Sequence, residues 1–210
     1  MVVNGSSQKM KAMTLLDLIH TKMQETLTRQ GKVSLALSGG SSPVAIYEEL
    51  STYDLDWSKV TLTLIDDRQV DADHPDSNQL LISQTMRQHN ATAAQFIPLD
   101  KWPEDRIPDI AILGMGVDGH FASLFPSMLD QPEAFHPGGK PAILRTGPEG
   151  HPKHNRITMN LAMILSIPFR ILLVIGAEKK AVLSVARNGK DLPITRLLQH
   201  DGTQIITKSL

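Results

Sequence analysis

Ser38, Gly39, Gly40, Ser41 and Ser42 place two adjacent glycines between hydroxyls, directly ahead of Pro43. Glycine lets backbone amides approach a ligand closely, and the unpaired N–H groups at the start of a helix favour an anion, so this stretch has the chemistry of a phosphate cradle. The same pair also serves simply to turn a chain tightly. Asp66-Asp67-Arg68, followed by PDSN at residues 75–78, sets two carboxylates beside a guanidinium. Such groups hold sugar hydroxyls, position a water, or pair with one another. GMGVDGH at residues 114–120 puts Asp118 two positions before His120. Imidazoles ordinarily titrate near neutrality, so a histidine held on a glycine-shaped turn has the makings of a general base, although a lone histidine serves structure as readily.

Other chemistries find less support. Gly114, Gly116 and Gly119 formally satisfy G-x-G-x-x-G. That dinucleotide fingerprint needs a continuing helix and a second strand ending in an acid about 20 residues on. Here the chain meets Pro126, Pro132 and a glycine-rich loop instead. Neither G-x-S-x-G nor G-x-x-x-x-G-K-[ST] occurs. Ser6 and Lys9 match S-x-x-K, but within a polar stretch ahead of the first helix, where chance explains the match. His151 and His154 stand beside Pro152 without H-E-x-x-H or a neighbouring carboxylate pair, so no metal site is expected from them. The chain has no cysteine, which removes disulfides, thiol nucleophiles and thiolate metal sites together.

These stretches need elements to position them. Residues 10–30 carry Met13, Leu16, Ile19 or His20, Met23 and Leu27 at helical spacing, with Gly31 as a stop. Residues 33–37 form an apolar strand; Pro43 then opens the helical run VAIYEEL. VTLTLIDD at residues 60–67 alternates like one strand, and Ser77 is placed to cap NQLLISQTMRQH. Short strands are expected at residues 96–99 and 109–113, then, past a Pro/Gly-rich loop at 126–141, in AILRT and RITMNL, which look needed to complete the sheet. FRILLVI ends at Gly176, AEKKAVLSVARN reads as a helix, and a short helix and the strand TQIIT close the chain. Strands alternating with helices predict a single Rossmann-like α/β domain over residues 1–210. Its sheet is mostly parallel with helices on both faces, and ligands gather at the carboxyl ends of its strands.

Composition sets outer bounds. A chain of 210 residues buries roughly 70% of its unfolded surface. With 4% aromatics, its core must be largely aliphatic. Net charge is −1 with no basic stripe, so neither nucleic acid nor a membrane surface is an expected partner. No apolar run approaches the ~20 residues of a membrane span, and MVVNGSSQKMK lacks the apolar core of a secretory signal. A cytoplasmic protein, monomeric or a small homo-oligomer, is expected.

SGGSSP, IDDRQV with DADHPDSN, GMGVDGHFASLFP, RITMNL and GAEKK, in this order, resemble the 6-phosphogluconolactonases, relatives of the glucosamine-6-phosphate deaminases. The deaminases continue after the histidine toward A-F-N-E-P, whereas this chain has Ala122-Ser123-Leu124-Phe125-Pro126, which favours the lactonase. The resemblance implies hydrolysis of 6-phospho-D-glucono-1,5-lactone in the oxidative pentose phosphate pathway, with a phosphosugar lactone as partner and neither metal nor organic cofactor. It implies that residues 38–42 hold the phosphate with Arg156 and Lys179, that His120 activates water with Asp118 or Asp66 orienting it, and that Arg68 meets ring oxygens or the developing carboxylate. Two departures stand out: the family's D-E-R is Asp66-Asp67-Arg68 here, and its threonine after the histidine is Phe121. The competing readings are an amino-sugar-phosphate isomerase/deaminase and a non-catalytic phosphosugar sensor, which would have no need of His120.

Overall fold

A computed structural model describes residues 14–208. Ser6, Lys9 and Met13 lie outside the described residues. The regular elements, joined in places by short 3-10 turns, are α1 (Leu15–Gln30), β1 (Val33–Leu37), α2 (Val44–Leu50), β2 (Val60–Leu64), β3 (Asp66–Arg68), α3 (Asn78–Thr85), β4 (Gln95–Phe96), β5 (Ile110–Gly114), α4 (Pro132–Phe135), β6 (Ile143–Glu149), β7 (His154–Met159), α5 (Leu161–Ser166), β8 (Phe169–Leu173), α6 (Ala177–Arg187), α7 (Pro193–Leu198) and β9 (Thr203–Ile206).

Helix α1 starts at Thr14, whose hydroxyl accepts from the Asp17 N–H while the Asp17 carboxylate accepts from the Thr14 N–H. This reciprocal pair satisfies two donors that the first turn would leave orphaned. Gly31 ends the helix in the left-handed conformation, at φ 72°. Leu16, Ile19 and Met23 make its buried stripe.

The main sheet has six strands in the order β4-β2-β1-β5-β8-β9, every pair parallel. Strands β1 and β2 are buried along their whole length, which is why they read as unbroken aliphatic runs. From β1 the chain steps outward through β2 to β4, returns to β5, and steps outward the other way through β8 to β9. Right-handed crossovers then set the helices of the two halves on opposite faces. The reversal falls between β1 and β5, and the connections leaving their carboxyl ends part there to form a crevice.

The structure corrects three expectations. VTLTLIDD is not one strand: it breaks at Ile65, whose N–H donates to the Leu37 carbonyl while its own carbonyl accepts from the Met159 N–H, each at 2.9 Å. The chain thereby changes sheets, and Asp66-Asp67-Arg68 become β3 of a three-stranded antiparallel sheet, β3-β7-β6. AILRT and RITMNL likewise form the β6–β7 hairpin of this second sheet rather than completing the first. An antiparallel pair tolerates one wet face, and β6 is largely exposed or half-buried, which would not suit the interior of a doubly covered parallel sheet. The strand expected at residues 96–99 shortens to Gln95–Phe96, since Pro98 has no N–H to continue the ladder.

Candidate functional site

At the end of β1, Ser38 is held by its own backbone: its N–H donates to Ile112 and its carbonyl accepts from the buried Tyr47 hydroxyl at 2.9 Å. Burial pushes the Tyr47 hydroxyl pKa well up, so it stays a donor. The Ser38 Oγ is buried and, among the described residues, has no hydrogen-bond partner. Gly40 follows at φ 82°, and a Cβ on Gly39 would overlap the side-chain amide of Asn78. Among the described residues, none of the amides of Gly39, Gly40, Ser41 and Ser42 donates to another group of the chain. Helix α2 is only seven residues long, so any pull on an anion comes from these loop amides more than from a macrodipole. Lys179, in the first turn of α6, donates to the Ser42 hydroxyl at 3.0 Å. Burial lowers its ammonium pKa, so a nearby anion would restore what the protein environment takes away.

At the end of β5, the Gly116 N–H donates to the His120 carbonyl at 2.8 Å and the Gly119 N–H to Gly116 at 3.1 Å, closing a tight loop. Inside it, Asp118 Oδ1 lies 2.5 Å from His120 Nδ1. Burial alone would raise the Asp118 carboxyl pKa, but hydrogen bonds from the His120 ring and nearby backbone outweigh it and hold the group below its usual range. An ionised Asp118 keeps the proton on Nδ1 and leaves Nε2 as the free base of the ring. The Phe125 ring packs against the imidazole at 4.7 Å and limits its rotation.

Strand β3 carries the third group. The carboxylate of Asp66 accepts from the buried Ser123 hydroxyl at 2.6 Å, and its backbone carbonyl accepts from the Asn78 amide. Asp67 instead caps α3, accepting from the N–H groups of Asn78 and Gln79 at 2.7 and 3.2 Å. Desolvation raises its pKa despite those bonds. Arg68 Nη1 donates to the Asp76 carbonyl and to Asn78 Oδ1, both at 2.9 Å, and its Nε is buried without a partner among the described residues. Across the β3–β7 ladder Arg68 stands opposite Arg156. Burial, and then the charge of Arg68, push the Arg156 guanidinium down from its ordinary pKa. Arg156 also donates to the Glu149 and Pro152 carbonyls and lies 5.4 Å from the Phe125 ring, so it anchors the hairpin as well as facing the site.

Ser38, Gly39, Gly40, Ser41, Ser42, Asp66, Arg68, His120, Arg156 and Lys179 all line one cavity of about 240 Å³, with Asp118 behind His120. The cavity sits at the carboxyl ends of β1 and β5. Of the two acids expected to orient His120, Asp118 is the one that touches the imidazole. Asp67, at the position of the family's glutamate, caps a helix, and Phe121 is wholly buried, so neither departure lines the cavity. Sequence reasoning missed Asn78 and Ser123 as supports. Asn78 is a buried polar residue opening a helix, a position with no local use for an amide. Its Asp-Ser-Asn setting was the available signal.

The family model described as glucosamine-6-phosphate isomerases/6-phosphogluconolactonase matches residues 6–106 and 102–206. A curated 6-phosphogluconolactonase of Neisseria meningitidis is 36% identical, with 91% of this chain and 90% of the relative aligned. One from Xylella fastidiosa is 38% identical, covering 83% of this chain and 80% of the relative. Among solved structures, a 6-phosphogluconolactonase from Shewanella baltica superposes with a TM-score of 0.81 at 30% identity, covering 92% of this chain and 90% of that one. One from Thermotoga maritima superposes at 0.76 and 25% identity, covering 92% of this chain and 93% of its own.

Proposed function

Because the chain belongs to the glucosamine-6-phosphate isomerase/6-phosphogluconolactonase family, we propose that its cavity hydrolyses 6-phospho-D-glucono-1,5-lactone to 6-phosphogluconate. It is a lactone hydrolase, acting as one domain in the oxidative pentose phosphate pathway. Among the described residues no helix is long and apolar enough to cross a membrane, which fits the cytoplasmic setting proposed here.

One observation carries the reading: an imidazole with a free nitrogen and a loop of unpaired amides face the same cavity. Buried polar groups ordinarily find partners, and the unpartnered Ser38 Oγ and Arg68 Nε are suited to the oxygens of a phosphorylated sugar acid. The loop of residues 39–42 with Lys179 and Arg156 takes the phosphate. His120 Nε2 removes a proton from water as the oxygen attacks the lactone carbonyl carbon. The tetrahedral intermediate collapses by breaking the bond between that carbon and the ring oxygen. His120 returns its proton to the departing ring oxygen, and the new carboxylic acid ionises to water. Asp118 holds the imidazole's tautomer and balances its transient charge, and Arg68 faces the oxygens that gain charge.

The test is a coupled assay in which glucose-6-phosphate is oxidised in situ and disappearance of the δ-lactone is followed with and without the protein. Faster loss with the protein is expected. Loss at the spontaneous rate, or ammonia release from glucosamine-6-phosphate instead, would overturn the reading. Within that assay Lys179→Ala is expected to raise KM at least tenfold with kcat and melting temperature little changed, since its amine does nothing for the fold beyond one hydroxyl contact. Arg156→Ala is expected to raise KM and lower the melting temperature together, because its guanidinium also ties down two carbonyls of the hairpin. A kcat loss at constant KM in either variant would take that residue out of phosphate binding.

A further inference from the structure

Outside the cavity, three side chains from distant parts of the chain meet on the surface. His74 and Asp76 lie in the loop between β3 and α3; His154 is the first residue of β7 and stands 78 positions beyond Asp76. The β3–β7 ladder brings them together, and the Gln69 N–H extends it by donating to the Asn155 carbonyl at 2.7 Å. Asp76 Oδ2 is 2.8 Å from His154 Nε2 and 3.9 Å from His74 Nδ1, so two imidazoles flank one carboxylate oxygen. One potential ligand atom from each residue falls within a 4.8 Å span, and no other trio of this kind gathers among the described residues.

The backbone around the carboxylate is well held. The Asp76 N–H donates to His74 Nδ1 at 3.0 Å, and the Asp76 carbonyl accepts from Arg68 Nη1. That bond leaves His74 Nδ1 unprotonated, and a small rotation of the partly exposed ring, exchanging the Asp76 N–H for an ion, would free its lone pair as a ligand. The two imidazole rings meet edge to face, with centroids 5.6 Å apart. Ligand bonds of 2.0–2.2 Å put two donors on a tetrahedral ion about 3.3 Å apart. The observed spacings bracket that value, and small rotations of partly exposed side chains close the difference. The Asp76–His154 contact and the Asp76 N–H bond to His74 gather the group, and together they leave two imidazole nitrogens and a carboxylate oxygen close enough to share one ion.

We propose that His74, Asp76 and His154 form a binding site for a divalent transition metal of the zinc, cobalt or nickel type, with water completing its coordination. Two nitrogens and one carboxylate suit these ions, whereas magnesium and calcium favour all-oxygen sets. None of the three residues lines the cavity, so the site is separate from the proposed reaction. Its one link to the cavity is structural: the loop it would clamp is the loop whose Asp76 carbonyl supports Arg68.

The test uses the full chain, stripped with a chelator and dialysed, titrated with zinc chloride by calorimetry and with cobalt(II) by visible absorption. One equivalent of zinc is expected to bind, cobalt to give a tetrahedral-type absorption band, and magnesium to give no heat. His74→Gln and His154→Gln are each expected to weaken zinc binding at least tenfold while keeping the parent's circular dichroism and lactone turnover, which separates loss of the site from loss of the fold. Zinc binding weaker than millimolar, or equally tight in both variants, would overturn the site. So would loss confined to His120→Gln, which would assign the ion to the imidazole of the cavity.

Discussion

His120→Ala is expected to lower kcat for δ-lactone hydrolysis by about 10²–10⁴-fold, the range that a positioned general base supplies, equivalent to about 2.7–5.5 kcal/mol of barrier. The affinity for 6-phosphogluconate, measured by calorimetry, should barely change, because the groups proposed to take the phosphate lie on other elements. The ring is partly exposed and packs on one face against Phe125, so its removal leaves no sealed cavity and should shift the melting temperature little. Turnover equal to the parent's would remove the histidine from the mechanism. A loss of product affinity as large as the loss of rate would make it a binding group instead.

Gly116→Ala is expected to lower kcat almost as far, although it leaves every polar group of the site in place. A Cβ there would overlap the His120 ring at Cε1 and Nδ1 and lie 2.7 Å from Asp118 Oδ1. The backbone cannot yield cheaply, since the Gly116 N–H and carbonyl both hold the loop together. The imidazole must therefore swing away, breaking its contact with Asp118 and removing Nε2 from the cavity. A near-attack geometry lost by even an ångström costs on the order of 100-fold. Because the displaced group is a side chain with an open side, the fold should survive: unchanged circular dichroism with collapsed turnover is the expected signature. Turnover within a few-fold of the parent would mean that the dyad tolerates a methyl group and that its geometry is not what sets the rate.

Much of the site was legible in the order of residues. The glycine pair with its hydroxyls, the glycine-rich turn ending in His120, and the strands that precede them are local features. Their signals lie within a few residues of one another: apolar runs that must be buried, followed by residues that permit a tight turn. Helix α1 was readable for the same reason, from its apolar spacing and the Gly31 that stops it, although its start at Thr14 was not. What was not legible depended on pairing across long stretches of chain. The run of residues 60–67 has the alternation of a single strand, and nothing within it says that Ile65 bridges two sheets. That break turns Asp66 toward Ser123, gives Asp67 to a helix cap, and sets Arg68 opposite Arg156. His154 lacked a nearby carboxylate in sequence and gained one in space.

By itself, then, the sequence determined the α/β class, the central strands and the turns that carry the proposed base and phosphate loop, since burial and turn formation are decided by neighbours along the chain. Only the tertiary structure decided which acid touches His120, which guanidiniums face one another and which side chains share a cavity. Those contacts depend on strand order and register, and register is settled by how whole elements pack.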